Sequence, residues 1–145
     1  MIHGLQIVPK RQIVDDRGKI MHILRNDDPE FEVFGEVYFS WVNPGKIKAW
    51  HLHRLMTLNY VCPVGSVRLV LFDDRSESPT RGVVQSLVLD QNPYRLVRVP
   101  VGVWNGFSCI GDVPAMVCNV ATEVHSSDEI IRKDLDDPGF PPVDW

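Results

Sequence analysis

Short runs of apolar and β-branched residues, broken by turn residues every 8–12 positions, run through this chain from Leu5 to Ala121. Leu5–Val8 is the first run and stops at Pro9. Asp15-Asp16-Arg17-Gly18 reads as a turn, and Lys19–Leu24 follows it. Asn26–Glu30 is a loop whose Pro29 opens a short helical turn. Glu36–Val42 is aromatic and β-branched, and Asn43-Pro44-Gly45 closes it as a strong turn. Further strands are expected over Ile47–His53, Thr57–Cys62, Ser66–Phe72, Val83–Leu89, Tyr94–Val99, around Phe107 and over Met116–Ala121. Asp128–Leu135 has room for one or two helical turns. The segment Asp136–Trp145 is rich in Pro and Asp and reads as an ordered extension or a loose end. No amphipathic helix interrupts the strands, so the pattern predicts an all-β sandwich or small barrel. With no repeat, linker or low-complexity block, residues 1–145 are expected to form one domain.

Composition narrows the function classes. A net charge of −4 gives no reason to expect a nucleic-acid or acidic-membrane partner. No apolar run approaches the length of a transmembrane helix, and the N-terminus lacks the order of a signal peptide. Cys62, Cys109 and Cys118 are odd in number, lack C-x-x-C spacing and read as buried thiols. A cytoplasmic location is the expectation.

The chemistry concentrates in His51-Leu52-His53. On a strand, residues i and i+2 project from one face, so both imidazoles enter one cavity, to bind a metal or to move protons. The surrounding intervals match the cupin signature G-x5-H-x-H-x4-E-x6-G at Gly45, His51, His53, position 58 and Gly65. Position 58 is Leu rather than Glu. The second signature, P-x-G-x2-H, falls on Pro100, Gly102 and Asn105, so its His is replaced as well. Leu58 ligates nothing and Asn105 is a poor transition-metal ligand, so no metal or other cofactor is expected. The spacing implies a cupin fold, the double-stranded β-helix or jelly-roll barrel.

Several motifs together resemble one cupin branch, the dTDP-4-dehydrorhamnose 3,5-epimerase family. Asp15–Gly18 resembles its D-x-R-G, and Gly45–His51 its G-V-x-R-G-x-H. Val64–Val67 followed by Asp73–Gly82 resembles V-G-x-V…D-x-R-x-x-S-P-T-x-G, the most specific stretch. Val99–Phe107 resembles I-P-x-G-x-x-H-G-F, and Asp137-Pro138 with Asp144-Trp145 resembles D-P…W. The resemblance runs in order over residues 5–145.

The resemblance implies a nucleoside-diphosphate sugar as substrate, with a proton taken from carbon beside a 4-keto group through an enolate. His51 falls at the family's base. Lys48 falls at an arginine that holds the diphosphate. Arg17 falls at another phosphate-contacting arginine, which an exchanged N-terminal strand offers across a homodimer. The family's catalytic Lys falls at Leu58, its second His at Asn105, and its acid Tyr near Met116 or Val117. The Asp that orients its base lies in an L-S-x-K-D tail beyond Trp145. Three replacements are available: His53 as acid or relay, Tyr60 as proton donor or stacking partner, and Asn105 as hydrogen-bond donor to an enolate oxygen. Asp73 and Arg75 are expected to pin a hairpin. Trp41, Trp50 and Trp104 are expected in the core or at a dimer interface. His3 and His125 carry no signal.

The leading reading is therefore an epimerase of a nucleotide-activated 4-keto-6-deoxy sugar in deoxysugar or surface-polysaccharide biosynthesis, acting at one carbon. A 3,4-ketoisomerase, whose H-x-H-[KR] strand resembles His51-Leu52-His53-Arg54, is the enzymatic alternative. A catalytically inactive sugar-nucleotide-binding cupin is the alternative from another class.

Overall fold

A computed structural model describes all of residues 1–145. Twelve strands follow in chain order. They are β1 (Gln6–Pro9), β2 (Gln12–Asp15), β3 (Gly18–Met21), β4 (Glu36–Val42), β5 (Ile47–His53) and β6 (Leu58–Val64). The rest are β7 (Val67–Phe72), β8 (Val84–Leu89), β9 (Arg95–Val99), β10 (Trp104–Cys109), β11 (Ala115–Ala121) and β12 (Ile130–Arg132). Two five-stranded antiparallel sheets face each other, in the orders β1-β9-β6-β11-β4 and β12-β5-β10-β7-β8. This is the cupin jelly roll. The short β2–β3 hairpin stands apart as a third sheet, with Asp15–Gly18 as its turn.

The inner faces of β6, β7, β9, β10 and β11 supply Leu58, Leu69, Leu71, Val97, Phe107 and Val117, all buried in one apolar cluster. At the side where β4 and β12 are the sheet edges, the inward positions turn polar: Glu36, Tyr38 and Ser40 on β4, Lys48, His51 and His53 on β5. An inner face that stops being apolar cannot close on itself, and a cavity opens there.

The structure corrects two local expectations. Asp128–Leu135 does not form helical turns. Ile130, Ile131 and Arg132 pair with His53, Leu52 and His51 instead, adding β12 to the edge of the histidine strand. The two consecutive isoleucines favour an extended backbone, and the open edge of β5 gives it a partner. Residues 26–30 make turns rather than a helix, with the Phe31 N–H donating to the Asp28 carbonyl at 3.0 Å. Gln12–Asp15 was not expected as a strand; four residues beside a turn carry too little periodicity to register.

Asp73 pins its hairpin as anticipated. Its buried carboxylate accepts from Arg75 Nε and Nη2, both at 2.8 Å, from Ser78 Oγ at 2.6 Å and from Thr80 Oγ1 at 2.7 Å. Arg75 also donates to the His3 carbonyl at 2.7 Å, tying down the N-terminus. The Arg75 guanidinium holds the Asp73 carboxyl well below the usual range, so this motif serves the fold rather than the substrate.

The pairing of β5 with β10 contains the structure's most consequential irregularity. Asn105 pairs with His51, but Phe107 pairs with Lys48, so β5 spends three residues where β10 spends two. This bulge restores Lys48 to the face of His51, which strict alternation would deny it. Gly106 sits opposite the bulge, where a Cβ would lie 2.3 Å from the Ala49 Cβ and 2.8 Å from the Trp145 ring. Behind the bulge, Trp50 stacks on Phe140 at 4.8 Å and meets Trp145 edge-on at 5.0 Å, so the C-terminal segment is ordered on the outer face. Gly106→Ala is expected to destabilise the protein by about 1–3 kcal/mol through overpacking, read as a lower urea midpoint at unchanged m-value.

Candidate active site

The cavity between the sheets has a volume of about 610 Å³. One wall comes from β5 and β12, with Lys48, His51, His53 and Arg132. The facing wall comes from β4 and β6, with Glu36, Tyr38, Ser40 and Tyr60. Phe107 contributes apolar lining, and His125 from the loop after β11 also reaches the cavity.

The expected site residues fare differently. His51, His53, Lys48 and Tyr60 all line the cavity. The Lys48 ammonium donates to Ser40 Oγ at 2.9 Å, which fixes its position across from β4. Asn105 does not reach the cavity lining. It is 1% exposed, its amide donates to the His51 carbonyl at 3.1 Å and the Val103 carbonyl at 3.4 Å, and its oxygen accepts from Tyr60 at 3.3 Å. With donors and acceptor engaged, it braces Tyr60 rather than offering a hydrogen bond to a ligand. Arg17 lies outside the cavity, at the tip of the β2–β3 hairpin, held by Asp15 at 2.7 Å and open to solvent.

Sequence reasoning missed four participants. Glu129 lies in the segment taken for helix and accepts from His53 Nδ1 at 2.8 Å. Arg132 enters because β12 pairs with β5. Tyr38 faces inward beside Ser40; the period of two along β4 would have found it once one inward residue was known. His125, read as carrying no signal, lines the cavity because the chain after β11 folds back over it.

The electrostatics separate these groups. Burial pushes the His51 pKa down, and the charges of Arg132, His53 and Lys48 push it further, to about 4. His51 is therefore a neutral imidazole near pH 7. Burial, and then the neighbouring Tyr38, raise the Tyr60 phenol well above its ordinary value. Burial also raises Tyr38, opposed by the hydrogen bond from Asn119, which donates to the Tyr38 hydroxyl at 3.0 Å. Both phenols hold their protons at neutral pH.

The lowered His51 pKa has a thermodynamic consequence. As pH falls from 6.5 toward 4, the unfolded chain protonates this imidazole before the folded one does. The unfolded state then binds more protons, so stability is lost with falling pH across that window. His51→Asn is expected to flatten this loss between pH 6.5 and 4, measured as unfolding free energy against pH.

Comparison with known proteins places the chain among sugar-modifying enzymes. The family model described as dTDP-4-dehydrorhamnose 3,5-epimerase matches residues 1–145. A probable low-salt glycan biosynthesis epimerase of Haloferax volcanii is 32% identical over 130 residues, 88% of this chain and 83% of that protein. A spore coat polysaccharide biosynthesis protein of Bacillus subtilis is 30% identical over 129 residues, 89% of this chain and 85% of that one. A solved dTDP sugar isomerase from Desulfovibrio desulfuricans superposes with a TM-score of 0.95 at 42% identity, covering 98% of this chain and 91% of its own.

Proposed function

We propose that this chain, which belongs to the dTDP-4-dehydrorhamnose 3,5-epimerase family, epimerises a nucleotide-activated 4-keto-6-deoxy sugar at a single carbon during glycan or surface-polysaccharide biosynthesis. One observation carries the reading. A single cavity holds imidazoles on one wall, protonated phenols on the facing wall, and the cations Lys48 and Arg132 on the imidazole side. Inversion beside a ketone needs a base on one face of the carbon, an acid on the other, and stabilisation of the enolate between them. The cations suit an anionic diphosphate, which Lys48 meets as a point charge.

The proton is taken by an imidazole of the β5 pair, where His51 occupies the family's base position. A phenol of the facing wall, Tyr38 or Tyr60, returns a proton to the opposite face. The family's Lys falls at Leu58, buried in the core at 1% exposure, and its acid Tyr near Met116 or Val117 of β11. Fewer acids than the double reaction requires favour C3 or C5 alone. Related polysaccharide and glycan proteins from two organisms support the biosynthetic setting.

The test is solvent deuterium uptake from D2O into a dTDP-linked 4-keto-6-deoxyhexose, followed by NMR. Deuterium is expected at one of C3 and C5. No uptake at either carbon with nucleotide still bound overturns the reading in favour of a binding protein. A keto group found at C3 in the product identifies a 3,4-ketoisomerase instead.

The active unit is proposed to be a homodimer. β1 pairs with β9 of its own chain, so the segment free for exchange is the β2–β3 hairpin, which exposes Val14 and Ile20. Edge strand β4 exposes Val37, Phe39 and Trp41 on its outer face, an apolar row beside unpaired backbone groups. Docking a second copy's hairpin there would carry its Arg17 toward the cavity. Light scattering is expected to give twice the chain mass, and Arg17→Ala to weaken nucleoside-diphosphate binding; a monomer with unaltered binding contradicts this.

A further inference from the structure

The two histidines of β5 are held in different ways. His53 is 5% exposed, and its Nδ1 lies 2.8 Å from Glu129 Oε2. The other carboxylate oxygen of Glu129 accepts the backbone N–H groups of Leu55 at 3.2 Å and Met56 at 2.9 Å. The Glu129 carbonyl accepts from the Arg54 N–H at 2.9 Å. Burial raises the Glu129 pKa, but the hydrogen bonds from His53, Met56 and Leu55 outweigh it, and the net shift is downward. Glu129 is thus an ionised carboxylate clamped to the strand end. A carboxylate only accepts, so Nδ1 of His53 carries the hydrogen and Nε2 keeps its lone pair.

His53 lines the cavity, whereas the charges that act on His51 are those of Arg132, His53 and Lys48, all of which disfavour its protonation. A base whose conjugate acid is destabilised removes a proton poorly, and one backed by a carboxylate gains stability as it becomes an imidazolium.

We propose that His53 removes the carbon-bound proton, that Glu129 is its positioning residue, and that His51, two residues away at the family's base position, donates an N–H to the developing enolate oxygen. This rests on the epimerase reading above and assigns its proton transfers to atoms. The C–H bond beside the ketone breaks and its proton goes to His53 Nε2. The electron pair forms the C=C bond of the enolate, and the carbonyl π pair moves onto oxygen. A phenol on the facing wall then delivers its proton to the opposite face of the same carbon, and the enolate collapses to the ketone. The proton on His53 leaves through solvent and the phenolate recovers one, so nothing is oxidised or reduced.

Besides His51 and Lys48 on its own strand, His53 faces Tyr60 of β6, Glu36 and Tyr38 of β4, Arg132 of β12 and His125. The rate of exchange is therefore compared between variants. The experiment measures kcat, KM and deuterium exchange with the dTDP-linked 4-keto-6-deoxyhexose for His53→Asn, His51→Asn, Glu129→Gln and Glu129→Asp. His53→Asn is expected to lose exchange by about 10²–10⁴-fold. His51→Asn slows the reaction less than His53→Asn does, because the base is still present. Glu129→Gln turns an amide donor toward Nδ1 and forces the hydrogen onto Nε2. Its kcat is expected to fall by about tenfold or more at nearly constant KM, with Glu129→Asp recovering part of the loss.

Exchange by His53→Asn close to the wild-type rate, or a larger loss in His51→Asn than in His53→Asn, overturns the assignment. An unchanged kcat in Glu129→Gln overturns the positioning role. If Glu129→Gln fails to fold, the two histidine variants still decide the base. Absence of exchange in the wild-type protein is a different result: it removes the epimerase reading itself.

Discussion

One extra residue in β5, set against β10, is the constraint on which the cavity depends. Without the bulge between Lys48 and His51, alternation would send the lysine to the outer face while the histidines stayed inside. With it, a cation and two imidazoles share one wall. The irregularity is held from both sides. Gly106 leaves room for Ala49 to approach, and Trp50, displaced outward, is covered by Phe140 and Trp145. The aromatic C-terminal segment and Lys48 are thus parts of one local arrangement, although nearly a hundred residues separate them in sequence.

Around that wall the protein sets its protonation states by burial and by neighbouring charge. His51 stays neutral because it is buried and its surroundings already contain Arg132 and Lys48. Tyr38 and Tyr60 stay protonated because their phenolates would be poorly solvated. Glu129 stays charged because three donors converge on it. Imidazoles and phenols therefore sit on opposite sheets, with His51 neutral and both phenols protonated.

The arrangement also bears on how a family site tolerates lost residues. Leu58, where the family resemblance implies a Lys, is apolar and buried here. The cavity takes a guanidinium from β12 and a phenol from β4, and a carboxylate from the segment before β12 holds one of its histidines. Polar groups from several strands meet there because the inward positions near one end of a jelly roll converge on the same space.

The order of the strands, the jelly-roll class and the shared face of His51 and His53 were legible along the chain, because period-two alternation and turn residues are local properties. Family motifs added Lys48 at the site, although only the bulge makes its placement possible. The role of Asn105 was not legible, since whether an amide meets substrate or braces Tyr60 depends on what packs behind it. Nor was β12: three residues become a strand only when the open edge of β5 is beside them, and with β12 come Arg132 and the placement of Glu129. What the sequence alone determined was the alternation that puts side chains on one face or the other. The tertiary structure alone decided which distant segments meet that face, and so which histidine has a carboxylate behind it, because that pairing joins His53 to Glu129 across 76 residues of chain and no local pattern encodes it.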